Sequence, residues 1–112
     1  MVKINAAGEA IVKFNSFAFI FLTPGFSAEE NSIMTEKNGY KFKAVGIDMA
    51  DKSKVIDVDK TLAAEGYQML ELCGGFGPEW AYKVTEALEG KVPVGGVSYG
   101  PQFRQALADL MR

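Results

Sequence analysis

Three features of the sequence predict a single α/β domain on a largely parallel central sheet. From residue 68 onward it reads strand–helix–strand–helix, a spacing that calls for right-handed crossovers and parallel strands. Phe17-Ala18-Phe19-Ile20-Phe21-Leu22 is apolar on both faces, as expected of an interior strand covered on both sides. Asn38-Gly39 separates two short β-type segments, a strong hairpin signal. The 112 residues are near the commonest domain size and contain no repeat, low-complexity stretch or linker, so 1–112 read as one unit.

The elements follow in order. Residues 1–15 alternate apolar and polar around Ala6-Ala7-Gly8, with Val2 and Ile4 before it and Ala10, Val12 and Phe14 after. This predicts a peripheral N-terminal hairpin, or an arm that orders in an oligomer. Thr23-Pro24-Gly25 stops the apolar strand, since proline lacks an amide donor and glycine accepts turn geometry. Ser27, with Glu30 three residues on, caps a single helical turn. Residues 33–37 and 40–46 form the Asn-Gly hairpin, with Tyr40, Phe42 and Ala44 on one face. A helix over 51–65 carries Val55, Val58 and Leu62 at 3/4 spacing and ends at Gly66. Then come a strand over 68–73, a helix over 78–89, a strand over 92–98 and a helix over 101–111. Pro78 and Pro101 fit the first helical position, where a missing amide costs nothing. Trp80, Val84 and Leu88 make one apolar stripe; Phe103, Leu107 and Leu110 make another.

Composition excludes several chemistries. With no histidine and one cysteine, Ser-His-Asp and Cys-His catalysis, histidine metal sites and an intrachain disulfide are ruled out. No metal site and no cofactor is expected. A net charge of −2 without a basic run lacks the footprint of a nucleic-acid binder. The longest strongly apolar run, residues 17–22, falls well short of the roughly 18 needed to span a membrane. It also lacks signal-peptide flanks, so a cytoplasmic protein is expected.

In an open α/β sheet ligands bind beyond the carboxyl ends of the parallel strands. That edge should gather residues 23–26, Cys73-Gly74-Gly75-Phe76-Gly77, Ser98-Tyr99-Gly100 and Asp48. Helix N-termini there favour phosphate or carboxylate, and glycines 74, 75 and 77 would let a ligand approach the backbone. The stretch matches neither the phosphate-loop lysine motif nor the G-x-G-x-x-G fingerprint. The competing reading is a plain strand-to-helix turn. Cys73, at a strand end facing a helix start, has a setting that activates thiols, although free cysteines more often simply pack. Glu71, two residues earlier on the same strand face, is either a buried general base or an ion-pair partner of a lysine such as Lys43. Asp48 reads as a helix cap. Phe76 in its glycine-flanked loop and Tyr99 are candidate ligand contacts, whereas Trp80 belongs to the core.

Residues 18–25 (AFIFLTPG), 71–79 (ELCGGFGPE) and 91–95 (KVPVG) resemble a family of small bacterial and archaeal proteins known only as a domain of unknown function. The resemblance runs from Phe17 to Tyr99, with residues 1–15 and the last helix peripheral. It implies a compact α/β fold and no established activity.

The leading expectation is a small-molecule binding domain. An anionic or carboxylate ligand would sit against residues 74–77, with Thr23, Ser98 and Tyr99 lining the pocket. The alternatives are an enzyme using Cys73 as nucleophile or Glu71 as base, and a structural homo-oligomer with no small ligand. In the last, the N-terminal hairpin and the Phe-rich strand would pack on a second copy. A dimer is the expected assembly, symmetric dimers being the commonest.

Overall fold

The computed structural model describes residues 3–4, 10–11 and 13–111, with side chains from residue 13 onward. Strands β1 (Lys3–Ile4) and β2 (Ala10–Ile11) pair antiparallel, as the N-terminal hairpin reading requires. Its turn, together with Val2 and Val12, lies outside the described residues.

The main sheet contains β3 (Ser16–Thr23), β4 (Ser32–Lys37), β5 (Tyr40–Asp48), β6 (Leu70–Leu72) and β7 (Val94–Gly96) in the order β4-β5-β3-β6-β7. All neighbours are parallel except β4 and β5, which form the Asn-Gly hairpin. Asn38 and Gly39 adopt φ of 54° and 82°, the left-handed pair of a type I′ turn whose twist matches that of the strands. Residues 28–30 make a turn and not a helix. The Glu30 amide donates to Ser27 Oγ at 3.3 Å, while Asn31 Oδ1 accepts from the Ser27 amide at 2.9 Å.

Helices α1 (Val55–Ala64), α2 (Gly77–Ala87) and α3 (Arg104–Leu110) complete the chain; short 3-10 turns, Lys52–Lys54 and Pro101–Phe103, lead into α1 and α3. At the end of α1 the Gly66 and Tyr67 amides donate back to the Ala63 and Leu62 carbonyls, closing the expected glycine cap. No helix among the described residues is long and apolar enough to cross a membrane.

The strand register divides the sheet into two unlike faces. Ala18, Ile20 and Leu22 of β3 align with Val45 and Ile47 of β5 and with Leu70 and Leu72 of β6. These residues are buried against Val55, Leu62 and Val84 of α1 and α2. The opposite face carries Phe17, Phe19 and Phe21 beside Phe42, and all four are only half-buried. The expectation that β3 is covered on both sides is therefore corrected. The reason is topological. The steps from β5 to β6 and from β6 to β7 run in the same direction across the sheet, and right-handed crossovers then deposit both helices on one face. The one leg that runs the other way, from β3 to β5, passes through edge strand β4 and supplies no helix. α3 packs substantially only on the 3-10 turn before it, leaving Phe103 and Leu110 exposed.

The uncovered phenylalanines pack on one another. Ring centroids lie 4.8 Å apart for Phe17 and Phe42, 6.0 Å for Phe14 and Phe17, 6.4 Å for Phe19 and Phe21, and 5.9 Å for Phe21 and Phe26. A hollow of about 230 Å³ opens at the hairpin end, between Phe14, Phe17, Tyr40 and Phe42.

Candidate functional site

The chain leaves β3 toward β4 and leaves β6 toward β7, in opposite directions. The carboxyl ends of these adjacent strands therefore form the topological switch point, the place at which open α/β sheets bind ligands. The loops expected there do converge. The Thr23 carbonyl accepts from the Phe26 amide at 3.2 Å and the Met49 amide at 3.3 Å, joining the ends of β3 and β5. The Asp48 carboxylate accepts from the amides of Ala50 (3.0 Å) and Gly25 (3.3 Å). Those two backbone donors hold its pKa below the ordinary carboxylate value, with Lys54 adding to the effect. Asp48 thus ties two loops together at their backbone instead of capping a helix.

The glycine loop begins where β6 ends. The Cys73 amide donates to Ile20 at 2.9 Å, and the Phe76 amide donates back to the Cys73 carbonyl at 3.1 Å. Gly77 follows at φ 77°, a conformation that turns strand into helix tightly and is strained for any residue with a Cβ. Gly74 lies under the Tyr99 ring, close enough that a Cβ would stand 3.0 Å from it. Gly75 packs against Leu22, and a Cβ there would be 3.2 Å from Leu22 Cδ1. Lys52 reaches across from the turn before α1, its Nζ donating to the Gly75 carbonyl at 3.0 Å.

Thr23, Gly74, Gly75, Gly77 and Tyr99 are thus gathered at one edge, with Ser98 exposed beside Tyr99. Phe76 and Glu71 sit differently. Phe76 is only 4% exposed. Trp80 is half-buried, with the Lys83 ammonium 4.3 Å from its ring centroid. Phe76 thus joins the core instead of lining a ligand site, while Trp80 packs against the core as its stripe position predicts. Glu71 aligns with Phe19 and Gly95 on the open face of the sheet. Lys43, proposed as its partner, points to the helix face and stands 3.9 Å from Glu65. Cys73 is half-buried against the core cluster.

Two charged residues escaped the sequence reading. Lys52 contacts the loop although lysine at a helix start opposes the dipole, and that misplacement was the available signal. Asp59 is fully buried on α1, and neither carboxylate oxygen has a hydrogen-bond partner among the described residues. Burial pushes its pKa up to about 7. It occupies the stripe position between Val55 and Leu62, where an apolar residue is the norm.

The edge sets a lysine beside a helix start that carries one acidic residue, Glu79. Among the described residues no side chain caps the N-terminus of α2, so its first-turn amides lack that partner. Glu79 in that turn is engaged by Lys83 at 2.9 Å, which keeps its carboxyl below the ordinary pKa. Lys52 has no carboxylate within ion-pair distance among the described residues; its ammonium rests on the Gly75 carbonyl, two residues before α2 begins. No group of three His, Cys, Asp or Glu side chains among the described residues is placed to hold a metal.

A profile of a family of unknown function, DUF6506, matches residues 15–112. The chain belongs to the DUF6506 family. The DUF6506 match begins just before β3, which leaves the N-terminal pair outside it. It continues through α3, so the last helix is part of the family unit and not peripheral to it. No curated protein and no solved structure shows significant similarity to the chain.

Proposed function

We propose that this domain binds a small anionic or carboxylate-bearing molecule at the carboxyl edge of its parallel strands, against residues 73–77. The observation that carries the reading is the Lys52 ammonium, set on the Gly75 carbonyl next to the uncapped start of α2. A cation beside a helix N-terminus favours a negative ligand, in addition to the Glu79 carboxylate that already senses the Lys52 charge. Thr23, Ser98 and Tyr99 would line the remaining walls. The reading includes a cytoplasmic location and no nucleic-acid partner, in keeping with the net charge of −2 and the absence of a basic run.

A thermal-shift screen against phosphate, simple carboxylates, nucleotides, flavins and acyl carriers tests this. A specific ligand at about a hundred times its dissociation constant adds roughly 2.7 kcal/mol, a rise of order ten degrees for a domain of this size. The rise should shrink sharply in Lys52→Ala, which removes the charge together with its hydrogen bond to the Gly75 carbonyl. An equal shift in both proteins would place the ligand elsewhere, and no shift with any compound would retire the reading.

A second reading rests on a separate observation, the uncovered aromatic face of the sheet. A mostly parallel sheet is normally covered on both faces. Here a second copy of the chain is the proposed cover, giving a homodimer.

A further inference from the structure

Among the described residues two apolar surfaces lack a partner, and no substantial packing joins them within one copy. The first is the open face of the sheet, where Ile33 lies opposite Ala44 and is 72% exposed. Around it stand Phe14 and Tyr40, each about half exposed, and the half-buried Phe17, Phe19, Phe21 and Phe42. At 150–250 Å² for a whole aromatic side chain, this face presents on the order of 500 Å² of apolar surface. The second is the stripe of α3. Phe103, Leu107, Leu110 and Met111 recur at i, i+4, i+7 and i+8, and Leu110 is 80% exposed. It presents roughly 400 Å² more by the same reckoning.

We propose that the protein is a reciprocal dimer in which the C-terminal helix of each copy covers the aromatic sheet face of the other. The proposal rests on the reading of the open face as a contact between copies, and adds the segment that covers it. Three observations favour this occupant. α3 is the one helix of the fold not used on the buried face, and residues 97–100 carry it away from the sheet edge with its stripe unpacked. The family match runs through α3, so a helix that its own domain leaves unpacked is nevertheless part of the unit. The area also suffices. Each copy would contribute its face and its stripe, roughly 900 Å² per partner, against about 800 Å² in a standard stable interface. The hollow of about 230 Å³ between Phe14, Phe17, Tyr40 and Phe42 lies on this face and would accept one side chain of the incoming stripe.

The test is sedimentation velocity on the full chain at micromolar concentration, with two charge variants at exposed positions that leave the core untouched. Wild type should sediment as a dimer. Ile33→Lys on the face and Leu110→Glu on the stripe should each raise the dimer dissociation constant at least about tenfold. Mixing the two variants should restore dimer, because one of the two exchanges in the mixed pair is then wholly wild type. A monomeric wild type would overturn both the open-face reading and the exchange. A dimer weakened by Ile33→Lys but indifferent to Leu110→Glu would leave the open-face reading standing and overturn the exchange. Loss of dimer in both variants without rescue on mixing would overturn the reciprocal geometry.

Discussion

Asp59 sets the chain's pH response from within the core. Its carboxyl titrates near 3.8 when unfolded and near 7 when buried. Between those values the folded state holds a proton that the unfolded chain has released. Stability therefore falls as pH rises from about 4 to 7 and levels off above, the full difference being at most about 4 kcal/mol. Asp59→Asn should flatten that slope, leaving the variant more stable than wild type near pH 8 and no more stable near pH 4.5; urea titrations at the two pH values check this. Lys52 and Asp59 also show where single-residue reading fails. A sequence records that a charge lies on a helix, but whether it is sealed in or resting on a neighbouring loop depends on strands many positions away.

At the scale of elements, β3 carries two unequal faces in alternate residues. Ile20→Ala empties a fully buried site and should cost about 2–5 kcal/mol in chemical denaturation, whereas Phe19→Ala on the open face should cost clearly less in the monomer. The hairpin is similarly specific: Gly39→Val forces a β-branched residue into left-handed backbone and should cost about 1–2 kcal/mol. Both the hairpin and the α2 start were legible in the sequence, because Asn-Gly and an N-terminal proline are local signals. The uncovered face was not. The phenylalanines of β3 read as buried on both sides, since periodicity reports hydrophobicity and says nothing of which chain supplies the cover. The reach of strands was also overread. The spans 68–73 and 92–98 shrink to Leu70–Leu72 and Val94–Gly96, the length over which a parallel neighbour is present to pair.

For the whole molecule, the one-sided placement of α1 and α2 leaves the aromatic face open for the proposed dimer. The Cα radius of gyration is 15.8 Å, against roughly 13 Å for a compact domain near this length, and the longest extent is 51 Å. Such a shape suits a chain whose outlying segment is packed by another copy. The proposed dimer would couple folding to association, so the melting temperature of the wild type should rise with protein concentration, while that of Ile33→Lys should not. Differential scanning calorimetry over a wide concentration range makes the comparison. The fold class, element order and convergence of loops at the switch point were all readable beforehand, since strand–helix alternation and crossover handedness constrain them. The fate of the second face depended on the direction of two crossovers, which no local pattern encodes.

Trp80 is the only tryptophan in the chain, and it sits in the first turn of α2, directly after the glycine loop. With an ammonium poised over its indole, its emission depends on the field at that helix start. The protein therefore carries a single built-in optical reporter at the start of that helix, and the proposed anion, if it binds there, would be followed by intrinsic fluorescence without a dye, a label or an assay for turnover.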